Sequence, residues 1–205
     1  MRRILIPLCA SLVLLSACTT TKGGTASPSS SSTSQTSPSN SDTELPGSGI
    51  PRVESPIDIS HFRDAPCDAL TADQITRLLG AGVTPKPDLN SPAGPSCSIH
   101  PDEGTQASIL IIFNNVDKRG LTSVYQADYR FFMPLSPVDG FPVAAYGLAD
   151  DRADHGRCQI AIGTSDQQTV DITVAQSEDN IGKKDPCEAA REVASDVLSN
   201  LRGGS

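Results

Sequence analysis

Four cysteines, Cys67, Cys97, Cys158 and Cys187, constrain this chain most, because they decide whether it folds as a cross-linked or a free polypeptide. In a reducing compartment such a set reads as metal ligands or reactive thiols. In an oxidising one, an even number reads as a disulfide framework. The N-terminus chooses between the two. Arg2 and Arg3 precede an apolar run from Ile4 to Leu15, interrupted by Pro7 and closed by Leu15-Ser16-Ala17-Cys18. A positive start, a short apolar stretch and a small-residue cleavage site define an export signal. The run is too short to cross a hydrocarbon layer, which takes about 20 residues.

The cysteine at the cut gives the signal its type. Residues 1–17 are expected to leave as a lipoprotein signal peptide, taking Cys9 with them, and the Cys18 thiol is expected to carry a diacylglycerol. Two or three acyl chains (palmitate is the usual kind), at ~0.8 kcal/mol per buried methylene, anchor a protein stably where one chain does not. The chain is therefore expected on the extracytoplasmic face of the cell membrane, held there through Cys18, in a place where thiols oxidise.

Four cysteines allow three pairings. The absence of Cys-x-x-Cys argues against a thioredoxin-like site or a zinc knuckle. The favoured pairing joins Cys67 to Cys97 and Cys158 to Cys187. It closes two loops of nearly equal length, each from a helix end to a strand start, and each stabilises by about 3–4 kcal/mol on the loop-entropy account.

Composition limits where folding can occur. From Thr19 to Gly49, 24 of 31 residues are Ser, Thr, Pro or Gly, and beyond Ala26 the only aliphatic is Leu45. Such a stretch has too little apolar surface to offset the entropy of ordering it. Residues 18–52 are accordingly read as the lipidated cysteine followed by a disordered tether, whose root-mean-square reach is roughly 30 Å. Residues 53–205 then form one domain, long enough for a substantial core. The formal charge of the whole chain is −8, and loss of Arg2 and Arg3 makes the mature chain more acidic. That argues against nucleic acid and against adhesion to anionic head groups.

Within the domain the punctuation is clear. Thr71 and Gln74 make a capping box, with Leu70 and Ile75 placed as its hydrophobic staple, and Gly80 ends that helix. Gln106 to Asn114 is apolar on both faces, as in a central strand. Leu121, Val124, Tyr125, Tyr129 and Phe132 fall at helical spacing, predicting a helix over 120–132 whose aromatics serve the core. Cys158, Ile160 and Ile162, then Val170, Ile172 and Val174, alternate as two half-buried strands. Asp185-Pro186-Cys187-Glu188 opens a last helix with an apolar stripe from Ala189 to Leu201. Helices interleaved with adjacent strands predict an α+β domain: an antiparallel sheet with helices packed mainly on one face. Pro-Cys-acid-Ala occurs at both Pro66 and Pro186, a faint internal echo.

These same pieces carry a resemblance. Pro66-Cys67 with Leu70-Thr71, Cys97, Gly120-Leu121 with Tyr125, Gly140-Phe141-Pro142-Val143-Ala144, Cys158 with Ile160 to Gly163, and Asp185-Pro186-Cys187 follow in order across most of the domain. Together with the lipobox and the tether they resemble the actinobacterial lipoproteins that carry the domain of unknown function 3558. That family often has an aromatic two residues after its second cysteine, where this chain has Ile99. The resemblance implies an exported, disulfide-bonded envelope lipoprotein with no assigned activity.

Catalytic motifs are missing. There is no Gly-x-Ser-x-Gly, no Ser-x-x-Lys and no phosphate loop, so an enzyme is not expected and no catalytic residue or cofactor is assigned. His61 near Asp58 and Asp64, His100 beside Asp102, and His155 after Asp150, Asp151 and Asp154 read as solvated acidic turns; none has EF-hand spacing, and no metal is expected. Phe141, between Gly140 and Pro142, is read as a core plug. The chain has no tryptophan, which removes the commonest platform for stacking sugars. What remains is a non-catalytic binding module for an envelope protein or a small apolar ligand. The alternatives are a sensor or accessory subunit of a membrane complex, and a lipid carrier, which would need an internal cavity.

Overall fold

The computed structural model describes residues 44–102 and 106–203; Cys18 and the expected signal peptide lie outside the described residues. The domain opens with short helix α1 (Ser60–Asp64), a 3₁₀ turn over Pro66–Ala69 and helix α2 (Ala72–Leu79). Strands β1 (Lys86–Asp88), β2 (Ser96–Ile99) and β3 (Ser108–Phe113) follow, then helix α3 (Leu121–Gln126). Next come β4 (Phe131–Val138), β5 (Phe141–Gly147), the single turn α4 (Arg152–His155), β6 (Arg157–Ser165), β7 (Gln168–Ala175) and α5 (Pro186–Gly203). The strands make one seven-stranded sheet in the order β1-β2-β3-β7-β6-β5-β4, and every pairing is antiparallel. The expected α+β class is what the chain adopts.

Alternation along the strands sorts the sheet into two faces. Ile109, Ile111 and Phe113 of β3, Cys158, Ile160 and Ile162 of β6, and Val170, Ile172 and Val174 of β7 point to one side. There they meet Val193, Val197, Leu198 and Leu201 of α5, with Phe62 and Ile75 from the N-terminal helices and Leu70 from the link before α2. Each such aliphatic contributes roughly 1.5–3 kcal/mol by leaving water. The capping box forms as expected, with Gln74 N donating to Thr71 Oγ1 and Thr71 N to Gln74 Oε1. Cys187 N donates to Asp185 Oδ1 at 2.8 Å at the start of α5. Both favoured disulfides are present: Cys67–Cys97 ties the 3₁₀ turn to β2, and Cys158–Cys187 ties β6 to α5. The two Pro-Cys-acid-Ala echoes share this role but build different elements, a single 3₁₀ turn and an 18-residue helix.

The opposite face is covered more thinly, by α3 and by the segment that leads into the domain. Two expectations change here. The packed chain begins before Val53: Gly47 N donates to Thr122 Oγ1, Ile50 packs, as Tyr125 and Tyr129 do, against the cluster of Leu121, Val124 and Tyr146, and Val53 N donates to Asp166 Oδ1. Composition placed these residues in the tether, yet two backbone donors and Ile50 find partners on the domain, enough to fix a short run of chain. The helix expected over 120–132 stops at Gln126, and Phe131 already belongs to edge strand β4. Ala127 has an extended backbone, and Phe131 to Leu135 pairs residue by residue with Gly147 to Val143. The aromatics spaced for a helix are therefore split between α3, a connecting loop and a strand, and Phe132 is exposed. β3 is an interior strand as expected, but its Leu110 and Ile112 on this second face are only half-buried.

Candidate functional site

On β7 the residues between the core-facing positions are Thr169, Asp171 and Thr173, a polar stripe that is nonetheless buried. Asp171 stands in register between Ile112 of β3 and Ala161 of β6, and is 3% exposed. A carboxyl in such a place needs hydrogen-bond donors to offset lost hydration. Asn114, just past the end of β3, supplies one: its Nδ2 donates to Asp171 Oδ2 at 2.8 Å. Asn114 is itself held, its backbone N donating to Thr169 O and its side-chain oxygen accepting from Val116 N at 3.0 Å. The other carboxyl oxygen, Oδ1, accepts no hydrogen bond from the described residues. The hydroxyls of Tyr146 and Thr169 approach closely enough to favour the charged carboxyl, more weakly than Asn114 does, without forming a bond to Oδ1.

Tyr146 sits at the C-terminal end of β5 with 7% exposure, and Gln159 Nε2 donates to its hydroxyl at 2.6 Å. Its ring lies 4.7 Å from that of Tyr129, tilted by 52°. Small neighbours make room for this arrangement, since Ala144 and Ala161 share the face and pair across β5 and β6.

Asn114, Tyr146 and Thr169 form the floor of a cleft of about 270 Å³, with Asp171 behind them; Tyr129, Val124 and Ser123 wall it. Gly120, at the rim, starts α3 with a φ of 52°, and a Cβ there would lie 2.6 Å from Asp166 O. Only glycine allows α3 to close so tightly on the β6–β7 turn. The charged side chain on the cleft wall is Asp117, whose oxygens accept from Ser123 Oγ at 2.8 and 2.6 Å. Among the described residues no lysine, arginine or histidine lines the cleft.

Burial shapes the electrostatics. Loss of hydration pushes the Asp171 carboxyl up to about 6, against the lowering influence of Asn114, Tyr146 and Thr169. Among the described residues no cation offsets the desolvation. Burial, then the charge of Asp171, then Tyr129 hold the Tyr146 phenol far above its ordinary range, so it stays neutral. Tyr129 is raised by burial and, less, by Asp171. A displaced carboxyl behind a concave surface marks a functional site more often than chance.

A wider groove lies elsewhere, about 710 Å³ between Glu54–Asp58, the β4–β5 turn and the end of α5. It is shallow and solvated, and its one arginine, Arg202, already donates to Asp139 O and lies 4.8 Å over the Phe141 ring. Size favours this groove; buried, unsatisfied polarity favours the tyrosine cleft, and polarity is what fixes a ligand's orientation.

A family model described as Protein of unknown function (DUF3558) matches residues 13–200. The chain belongs to that family. No curated protein and no solved structure matches it. The pieces of the DUF3558 resemblance sort by role: Phe141 is buried in the core, as expected, and the four cysteines are the two staples, whereas Gly120 borders the cleft. The histidines of this DUF3558 chain stand apart from the cleft: His61 pairs with Asp68 at 3.2 Å and His155 with Asp151 at 3.3 Å, while His100 Nδ1 lies 3.2 Å from Pro101 O. Asp150 is held by Arg152, whose hydrogen bond keeps the carboxyl below its usual range. Among the described residues no three His, Cys, Asp or Glu side chains are grouped to hold a metal ion.

Sequence reading missed Asp171, Asn114 and Tyr146, and put Tyr129 on a helix. The available signal was an acid at the centre of a strand, in Thr169-Val170-Asp171-Ile172-Thr173, where an exposed face would be the ordinary explanation.

Proposed function

We propose that this member of the family is a lipid-anchored envelope lipoprotein whose domain acts as a non-catalytic binding module, with the Tyr129–Tyr146 cleft as its ligand site. The anchor rests on the Cys18 lipobox; the binding role rests on one observation, a buried carboxyl with an unpartnered oxygen behind the polar floor of a tyrosine-walled cleft. Natural folds rarely keep such a group without a use for it.

The chemistry of the cleft supports binding over catalysis. Ser123, its one serine, gives its proton to Asp117 and has no histidine beside it, so nothing activates it as a nucleophile. Asp171 lies behind Tyr146, Asn114 and Thr169 and acts through them. The volume supports a small ligand over an acyl chain or a protein segment, since drug-sized ligands already take about 300–1,000 Å³.

Native mass spectrometry of the protein purified from its own envelope is the direct test. A reproducible small added mass, lost in a Tyr146→Ala variant, is the expected result. An apo mass in every preparation, with a partner protein cross-linked elsewhere on the surface, would replace the ligand reading with scaffolding. The anchor is tested separately: Cys18→Ala should leave the detergent phase, and a variant that partitions like wild type would refute lipidation.

A further inference from the structure

We propose that the ligand of the Tyr129–Tyr146 cleft is a compact organic ammonium ion, with Asp171 as its buried counter-charge. The proposal rests on the binding-cleft reading and adds the chemical class. Two observations lead to it independently.

The first is charge without compensation. Asp171 faces Tyr146 from β5, Tyr129 from the loop before β4, Asn114 after β3 and Thr169 from its own strand, and Ile112 and Ala161 flank it in register. The tyrosines are the titratable groups among these, and both stay neutral because their phenols are raised. Among the described residues no cation offsets the carboxyl, and none donates to Oδ1. A buried carboxylate of this kind costs free energy until a positive charge approaches it. An anionic ligand would meet Asp171 and Asp117 with no cation to receive it. A neutral donor could satisfy an oxygen but would leave the buried charge unbalanced.

The second is the nature of the walls. Two tyrosine rings 4.7 Å apart and tilted by 52° present negative π faces, with Val124 and Ala127 beside them. Aromatic faces over an anionic base are the surroundings that favour ammonium groups, by about 0.5–2 kcal/mol per ring. Asn114 and Thr169 add polar atoms at the floor. The cleft holds a head group with a few carbons. The formal charge of −8 draws cations toward the surface in low salt.

The test exploits the chain's own fluorescence. It has three tyrosines and no tryptophan, and Tyr125, Tyr129 and Tyr146 all belong to the second-face cluster. The full chain, in a non-ionic detergent at about pH 7.5, is titrated with choline, with butylammonium, and with dimethylbutanol, the neutral carbon isostere of choline. At least one ammonium should bind about tenfold tighter than the isostere. That preference should vanish in Asp171→Asn, and should shrink at about pH 5, where a proton competes for the same carboxyl. Tyr129→Leu, at a half-exposed wall position, should weaken the ammonium several-fold while changing the unfolding temperature little; it keeps the question open to test should Asp171→Asn fold poorly. Equal binding of ammonium and isostere would overturn the charge assignment while leaving the cleft a binding site. A preference that survives Asp171→Asn would overturn the role of Asp171. No binding by any of the three probes would overturn the ammonium class, and a retained mass in native spectra would then decide whether the cleft binds something else.

Discussion

Neighbouring residues of β7 are buried alike and built for different ends. Val170, Ile172 and Val174 are at most 6% exposed beneath α5, and Thr169, Asp171 and Thr173 are at most 7% exposed on the other side of the same strand. The first set fills a continuous apolar core, closed by an 18-residue helix and two disulfides. The second set sits under a six-residue helix and a stretch of loop, with a carboxyl oxygen left unbonded. Burial therefore does not distinguish a stabilising surface from a functional one. Among the described residues both faces leave buried polar atoms unpaired, Arg191 Nε and Gln176 Oε1 beside α5 and Asp171 Oδ1 beneath α3, but only the α3 face leaves one on a carboxyl in the middle of a strand.

This contrast can be broken by experiment. The largest effect should come from the α5 face: Leu198→Ala, at a fully buried position, should cost about 2–5 kcal/mol in urea unfolding. A loss under about 1 kcal/mol would mean the core is far softer than it looks. Replacing Cys158 and Cys187 together by alanine should cost about 3 kcal/mol by the same assay.

The α3 face should respond with the opposite sign. The folded-state value for Asp171, about 6, lies above the ordinary 3.8 of an aspartate, so the folded state holds the proton more tightly. The penalty for the charged form is fully present above pH about 6 and fades as pH falls toward about 4. Asp171→Asn should thus stabilise the protein by about 1–3 kcal/mol near neutral pH, with the gain vanishing near pH 4. A destabilising Asp171→Asn at neutral pH would show that the carboxylate supports the fold, and would erase the distinction drawn between the faces. The smallest effect is expected for Tyr129→Leu, within about 0.5 kcal/mol in stability, measured by thermal unfolding; a larger loss would place Tyr129 in the fold's support.

Most of the α5 face was legible in the sequence because its signals are local. A capping box spans four residues, a strand's alternation shows within five, and Asp185-Pro186 announces the last helix by its first turn. The disulfides could be paired because each loop ran from a helix end to a strand start. The α3 face was not legible, because its parts come from the end of β3, the loop before β4, the end of β5 and the middle of β7. No spacing in the chain records that these four places meet. Tyr129 and Phe132 also obeyed helical periodicity by coincidence, while strand pairing with β5 decided the outcome from Phe131 onward. Gly47 and Ile50 were hidden by composition: a Ser/Gly/Pro-rich tract gives no warning that its last residues will dock.

That docking has a mechanical consequence. The chain enters the domain through Gly47, bonded to Thr122 of α3, and then through Arg52 and Val53, both bonded to Asp166 of the β6–β7 turn. Tension applied along the covalent chain from its N-terminal side is borne first by those contacts, and only afterwards by the disulfide-braced layer. Those contacts are thus the first to yield when the protein is pulled, so stretching the leader would free Thr122 of α3 and Asp166, which abuts Gly120 at the cleft's rim, while leaving the sheet beneath intact.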